Sequence, residues 1–179
     1  MNIEKALAIP GFMHPIELEY LASIAEKATD IVEIGSWCGR SARAFADNTP
    51  GKVWAVDTWA DNAYGSAPAE ITCKPGWLMD GFARYHSDTI GSKVIRVRAS
   101  SLEGSRILDY KRFDVIFIDA GHNYEDVRTD LLAWIPLLKD DGILCGHDYA
   151  DYHPGVMKAV DEFVPKFRVV GTIWTTEGC

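Results

Sequence analysis

The chain is poor in the features that would place it in a membrane, a disulfide scaffold or a nucleic-acid complex. No apolar run approaches the length of a membrane span. The N-terminal stretch MNIEKALAIPGF carries an early acid and no long apolar centre, so it does not read as a secretory signal. Cysteine is sparse. Cys38, Cys73, Cys145 and Cys179 are scattered with no C-x-x-C pairing, which argues against structural zinc and a disulfide framework and leads us to expect a reducing cytoplasm. Basic charge is short: 18 Lys and Arg stand against 26 Asp and Glu, a net charge of -8. Phosphate recognition needs clustered cations, so nucleic acid is not an expected partner. Repeats and low-complexity tracts are also missing. What is present is an ordinary apolar share of 47% in 179 residues, enough for one domain over residues 1–179 with one substantial core.

Short apolar runs alternate with helical stretches. Helices are expected over 14–28, 39–48, 76–90, 102–108, 124–138 (kinked by Pro136) and 154–164. Strands are expected over 31–35, 53–57, 94–99, 113–119, 143–147 and 167–174, the last read as a single strand. That alternation predicts an α/β fold: a doubly wound, mostly parallel sheet with helices on both faces. Val115, Ile116, Phe117 and Ile118 form a run suited to burial on both faces. In 94–99, apolar residues alternate with Arg96 and Arg98, which places that strand towards an edge. The segment from Thr58 to Pro75 is long for a connection and reads as a lid or binding loop, together with Pro10, Gly11, Phe12 and Met13.

In such sheets ligands sit beyond the carboxyl ends of the strands. Those ends carry Glu33, Gly35 and Ser36; Asp57, Thr58 and Trp59; Ser100 and Ser101; Asp119 and His122; His147 and Asp148. Single acids there are often helix caps, but polar groups at all five ends point to a site. Gly35 and Gly39 allow a sharp turn. Asp57, 22 residues after Gly35, can accept the hydroxyls of a ribose. A dinucleotide fingerprint wants G-x-G-x-x-G; here Trp37 stands where the second glycine would be, and Glu33 would repel a pyrophosphate. A nicotinamide dehydrogenase is therefore disfavoured, and S-adenosylmethionine is the expected cofactor.

VEIGSWCGRSA resembles motif I of the class I S-adenosylmethionine-dependent methyltransferases, and WAVDTW their acidic second motif. FDVIFIDAGHNYEDVRTDLLAWIPLLKDDGILCGHDY is similar to the pattern of small bacterial methyltransferases related to cephalosporin hydroxylase and sugar O-methyltransferases. The resemblance implies cofactor contacts from Glu33, Gly35, Ser36, Gly39, Arg40, Ser41, Asp57, Thr58, Trp59, Ser100, Ser101 and Asp119. It also implies a seven-stranded sheet closing on an antiparallel hairpin. Only TTEGC follows Trp174, so the last strand is expected to be short or missing.

The expected chemistry is O-methylation of a small hydroxyl acceptor such as a sugar. Alternatives are a metal-dependent hydroxylase of the same fold and a cofactor-binding module without catalysis. Asp119, His147 and Asp148 are the candidate ligands of a divalent metal, Mg or Mn, the imidazole favouring the softer ions. His122, three residues after Asp119, is the candidate general base, since a neutral imidazole accepts a proton near pH 7. Helix capping is the plainer reading of His122 and Asp148. Tyr149, Tyr152 and His153 are candidate pocket walls, and His14 and His86 read as packing or surface residues. The partners expected are the small-molecule acceptor and, at the short sheet edge, a second copy of the chain, with no membrane.

Overall fold

A computed structural model describes residues 1–60 and 77–179, with the side chain of Trp77 left aside; the lid expected over 58–75 therefore lies largely outside the described residues. The elements run α1 (Glu4–Leu7), α2 (Pro15–Ala25), β1 (Asp30–Ile34), α3 (Arg40–Asn48), β2 (Lys52–Asp57), α4 (Trp77–Tyr85), β3 (Val94–Arg98), α5 (Ser101–Ile107), β4 (Phe113–Ile118), α6 (Tyr124–Trp134), β5 (Leu138–Gly146), α7 (Pro154–Phe163), β6 (Arg168–Val170) and β7 (Ile173–Thr175). They build one seven-stranded sheet in the order β3-β2-β1-β4-β5-β7-β6. The first five strands are mutually parallel, and β7 and β6 close the edge antiparallel.

Both faces are covered. On one, Ile31, Val53, Ala55, Val115 and Phe117 pack on Leu18, Leu21, Phe45 and Phe82. On the other, Val32, Ile34, Val56, Ile116 and Ile118 pack on Val127, Leu131, Trp134 and Val160. The alternation of strand residues between two apolar clusters is what the unbroken apolar run of β4 requires. Burying each such side chain stabilises the fold by about 1.5–3 kcal/mol. β3 is the edge strand, with Arg96 and Arg98 exposed.

Two expectations need correction. The segment 167–174 is not one strand but a hairpin, turning at Gly171, whose φ of 64° suits glycine. The sheet is thus complete, with two terminal strands of three residues each. The helix expected to reach residue 138 ends at Trp134. Pro136 sits in a 3-10 turn over Ile135–Leu137, and β5 begins directly at Leu138. A proline cannot donate the next helical hydrogen bond, and Asp141-Gly142 are absorbed in an irregular register: Phe113 faces Leu138 while Val115 faces Ile143.

β1 lies between β2 and β4, so the chain winds in opposite directions on either side of the β1/β4 boundary. Side connections diverge there and leave a crevice at the carboxyl ends of the strands.

Candidate active site

A cavity of about 660 Å³ opens at that crevice. From the end of β1 and the start of α3 it takes Gly35, Ser36, Trp37, Arg40 and Ser41; from the ends of β4 and β5, Asp119, His122, His147 and Asp148. The N-terminal strap adds Phe12 and His14, and the α7 approach adds Tyr152 and His153. Of the strand-end residues named from the sequence, Gly35, Ser36, Asp119, His122, His147 and Asp148 line it, whereas Glu33, Asp57, Thr58, Trp59, Ser100 and Ser101 do not.

Among the described residues, three non-glycine residues have positive φ: Trp37 (46°), Trp59 (45°) and Asp148 (63°). All three follow strand carboxyl ends. For side chains this large the left-handed region is strained, and such residues persist where surrounding bonds over-determine them. For the two tryptophans Asp57 supplies those bonds. One carboxylate oxygen accepts the amide N–H of Trp37 at 2.8 Å and the other that of Trp59 at 2.7 Å. The Trp59 indole N–H then donates to the Trp37 carbonyl at 3.0 Å. Asp57 is therefore first a clamp between the β1 turn and the β2 end.

Gly35 is fixed by packing: a Cβ there would lie 2.0 Å from the Asp119 carbonyl oxygen. Ser36 and Arg40 are different. The Ser36 hydroxyl and the Arg40 Nε are buried without a hydrogen-bond partner among the described residues, while Arg40 Nη1 donates to the Gly11 carbonyl at 2.6 Å and pins the strap. Behind them Glu33 is wholly buried, and burial lifts its pKa to about 8. The Ser36 and Ser41 hydroxyls draw it part-way back, yet among the described residues no hydrogen bond of good geometry reaches its oxygens. Buried polar groups are ordinarily satisfied, so this wall is built for a polar ligand.

The opposite wall is a charge network around His147. Nδ1 lies 3.1 Å from Asp148 Oδ1 and 3.8 Å from Asp119 Oδ1; Nε2 lies 3.0 Å from Thr172 Oγ1 and 3.4 Å from Glu17 Oε2. Burial pushes the imidazole down, but Asp119, Asp148 and Glu17 outweigh it and lift the pKa to about 10. Burial raises Asp119 to about 6, against the pull of His147. Burial also works against Asp148, but hydrogen bonds to His122 and His147 hold it far below the usual carboxylate range. His122 Nε2 stands 2.8 Å from Asp148 Oδ2, and that bond, more than any other influence, raises its pKa. In the neutral ring, with Nε2–H committed to the carboxylate, Nδ1 carries the lone pair.

Several expected residues have other partners. Ser100 caps α5, exchanging hydrogen bonds with Glu103. Ser101 Oγ accepts the Trp134 indole N–H at 2.9 Å. Thr58 Oγ1 accepts from the Ala60 amide. Gly39 lies behind the cavity, against His86 and Phe82. Tyr149 donates to Asp161 at 2.8 Å and stays outside the cavity lining. Glu17 and Thr172 are not signalled by the sequence, and His14, read there as a packing or surface residue, lines the cavity. Glu17 three residues after His14 reads as a helix-cap acid, which it is; nothing local signals its second partner on β5.

A family model described as a methyltransferase domain matches residues 32–149, more than half of the chain. The chain belongs to this methyltransferase family. An uncharacterized protein of Acanthamoeba polyphaga mimivirus is 29% identical over 171 residues, covering 86% of this chain and 72% of its own. Among solved structures, an O-methyltransferase of Bacillus cereus in complex with SAH superposes at a TM-score of 0.68 and 15% identity, covering 97% of this methyltransferase and 89% of that chain. TDP-rhamnose 3'-O-methyltransferase of calicheamicin biosynthesis does so at 0.64 and 16%, covering 89% and 76%. These likenesses establish the class I methyltransferase fold. No helix among the described residues is long and apolar enough to cross a membrane.

Proposed function

We propose that this methyltransferase transfers the methyl group of S-adenosylmethionine to a hydroxyl of a small-molecule acceptor, with a divalent-cation site beside the acceptor. The observation that carries the reading is the two-sided cavity: unsatisfied buried polar groups on the β1 wall, and a His122–Asp148 pair on the β4/β5 wall.

The β1 wall fits the amino-acid end of the cofactor. The Arg40 guanidinium and Ser36 hydroxyl are donors for its carboxylate, and Glu33, lifted to about 8 by burial, would ionise against its ammonium. Asp57, at the carboxyl end of β2, is the acid we assign to the ribose hydroxyls. When bound, S-adenosylmethionine supplies an electrophilic methyl on a sulfonium. The chain's own task is alignment and proton removal. Holding the two reactants in line contributes about 7–11 kcal/mol. His122 Nδ1 accepts the acceptor's hydroxyl proton, and Asp148 fixes the tautomer and stabilises the resulting imidazolium.

Asp119, His147 and Asp148 also fit a cation. Their ligand atoms lie within 4.8 Å of one another, and the far nitrogen of His147 faces Thr172 and the Glu17 carboxylate, the support that orients a metal-ligating imidazole. A divalent ion there would polarise the acceptor oxygen. Transfer of labelled methyl from S-adenosylmethionine to a panel of sugars and catechols, with and without chelator, tests the reading. His122→Asn should lower kcat about 10²–10⁴-fold with cofactor affinity kept; no transfer to any hydroxyl acceptor by the wild type would overturn it.

A further inference from the structure

We propose that His86, which lies outside the cavity lining, is a positioning residue for the cofactor turn; the proposal rests on the function just described. His86 follows α4 and is fully buried. Its ring lies flat on Phe82, centroids 4.3 Å apart and planes 13° apart, and Phe82 meets Trp59 edge-on at 5.1 Å. Nε2 stands 2.9 Å from the Gly39 carbonyl oxygen. A carbonyl only accepts, so Nε2 carries the hydrogen and Nδ1 turns its lone pair to Thr89 Oγ1, 3.2 Å away.

This contact explains Gly39. A Cβ there would meet His86 Nε2 at 2.4 Å and Phe82 at 2.8 Å, and the residue sits at φ 88°. The space that glycine leaves is filled from behind by α4, not from in front by a ligand. The Gly39 carbonyl is also the first acceptor of α3, taking the Arg43 amide at 2.9 Å. Arg43 reaches back to the Tyr85 carbonyl at 3.1 Å and to Asp88 at 2.6 Å. The end of α4 is thus bolted to the start of α3, the helix that carries Arg40 and Ser41 into the cavity. Burial, the largest influence, lowers the pKa of His86 to about 4, so the donor is a neutral imidazole at ordinary pH.

Three variants separate the hydrogen bond from packing. His86→Phe keeps a ring on Phe82 and loses the donor. His86→Gln places an amide N–H near the Nε2 position, and His86→Asn places one near Nδ1. Two readouts are taken: amide hydrogen exchange over residues 35–43 in the ligand-free protein, and the Kd for S-adenosylhomocysteine. We expect faster exchange and about tenfold weaker binding in the Phe and Asn variants, the equivalent of one buried hydrogen bond. The Gln variant should stay near wild type in both, with Tm of the Phe and Gln variants alike. Equal exchange in the Phe and Gln variants would overturn the proposal, as would losses that simply follow Tm. Should the wild type fail to bind S-adenosylhomocysteine, the cofactor reading falls, while the exchange comparison still decides whether His86 holds the turn.

Discussion

The Glu17 carboxylate lies 3.4 Å from Nε2 of His147, joining the first turn of α2 to the end of β5. The same side chain accepts the His14 amide at 2.7 Å and the Thr172 amide at 2.7 Å. One residue caps a helix, anchors the closing hairpin and orients the central imidazole. Burial pushes its pKa up, but the His147 side chain first, then the Thr172 and His14 amides, outweigh that and hold it at about 2. Glu17→Ala should lower both kcat and cation affinity about 10–100-fold, as loss of the carboxylate behind a ligating histidine does. It should also cost about 1 kcal/mol for the cap. Steady-state kinetics and a cation titration check this; full activity with only a lowered Tm would reduce Glu17 to a cap.

Asp57 holds two strained tryptophans by their amides. Asp57→Ala leaves buried amides unpaired, at about 1–3 kcal/mol each, so Tm and cofactor affinity should fall together. Thermal denaturation alongside calorimetry tests this. An affinity loss with unchanged Tm would mean that the carboxylate serves the ribose alone.

The fold was legible wherever pattern and topology agree. The apolar run of β4, the alternation in β3 and the acids at strand ends each report burial or a turn, which are local consequences of sequence. The missed elements depend on distant partners. Gly171 and Thr172 look like strand residues until Glu17 is seen to bond the Thr172 amide. Pro136 reads as a helix kink because nothing nearby says that β5 starts two residues later. At the site, residue types at the strand ends were legible, but their assignments were not. Ser100 and Ser101 are spent on a cap and an indole, and Gly39 answers to α4. A polar side chain's partner is a property of three-dimensional neighbours.

Glu33 gives a pH signature. Its folded pKa is raised by burial to about 8 from an ordinary 4.5. Between those values the unfolded chain is ionised while the folded one keeps its proton. Its contribution to stability is therefore complete below about pH 4.5 and is lost as pH rises through about 8. Denaturant titrations from pH 5 to 9 should show stability declining, and Glu33→Gln should make the decline shallower, the remainder coming from His147, whose pKa is also raised. An identical slope in the variant would show that another group titrates.

Phe12 is 76% exposed at the cavity mouth yet stacks on Trp37, centroids 5.4 Å apart. With Tyr152 across the rim it offers a flat apolar face to an incoming ring. Phe12→Ala should raise the acceptor KM about two- to tenfold and leave cofactor Kd and Tm unchanged. A raised cofactor Kd instead would place Phe12 over the cofactor.

The central claim is that the β1 wall holds S-adenosylmethionine, and calorimetric titration of the wild-type protein with it at pH 7 tests this most directly. Saturable binding at one site is expected, with a heat that varies with the buffer's ionisation enthalpy because Glu33 gives up its proton as the ammonium docks. Absence of binding up to millimolar cofactor would contradict the claim, leaving Ser36, Arg40 and Glu33 to be explained by a different ligand.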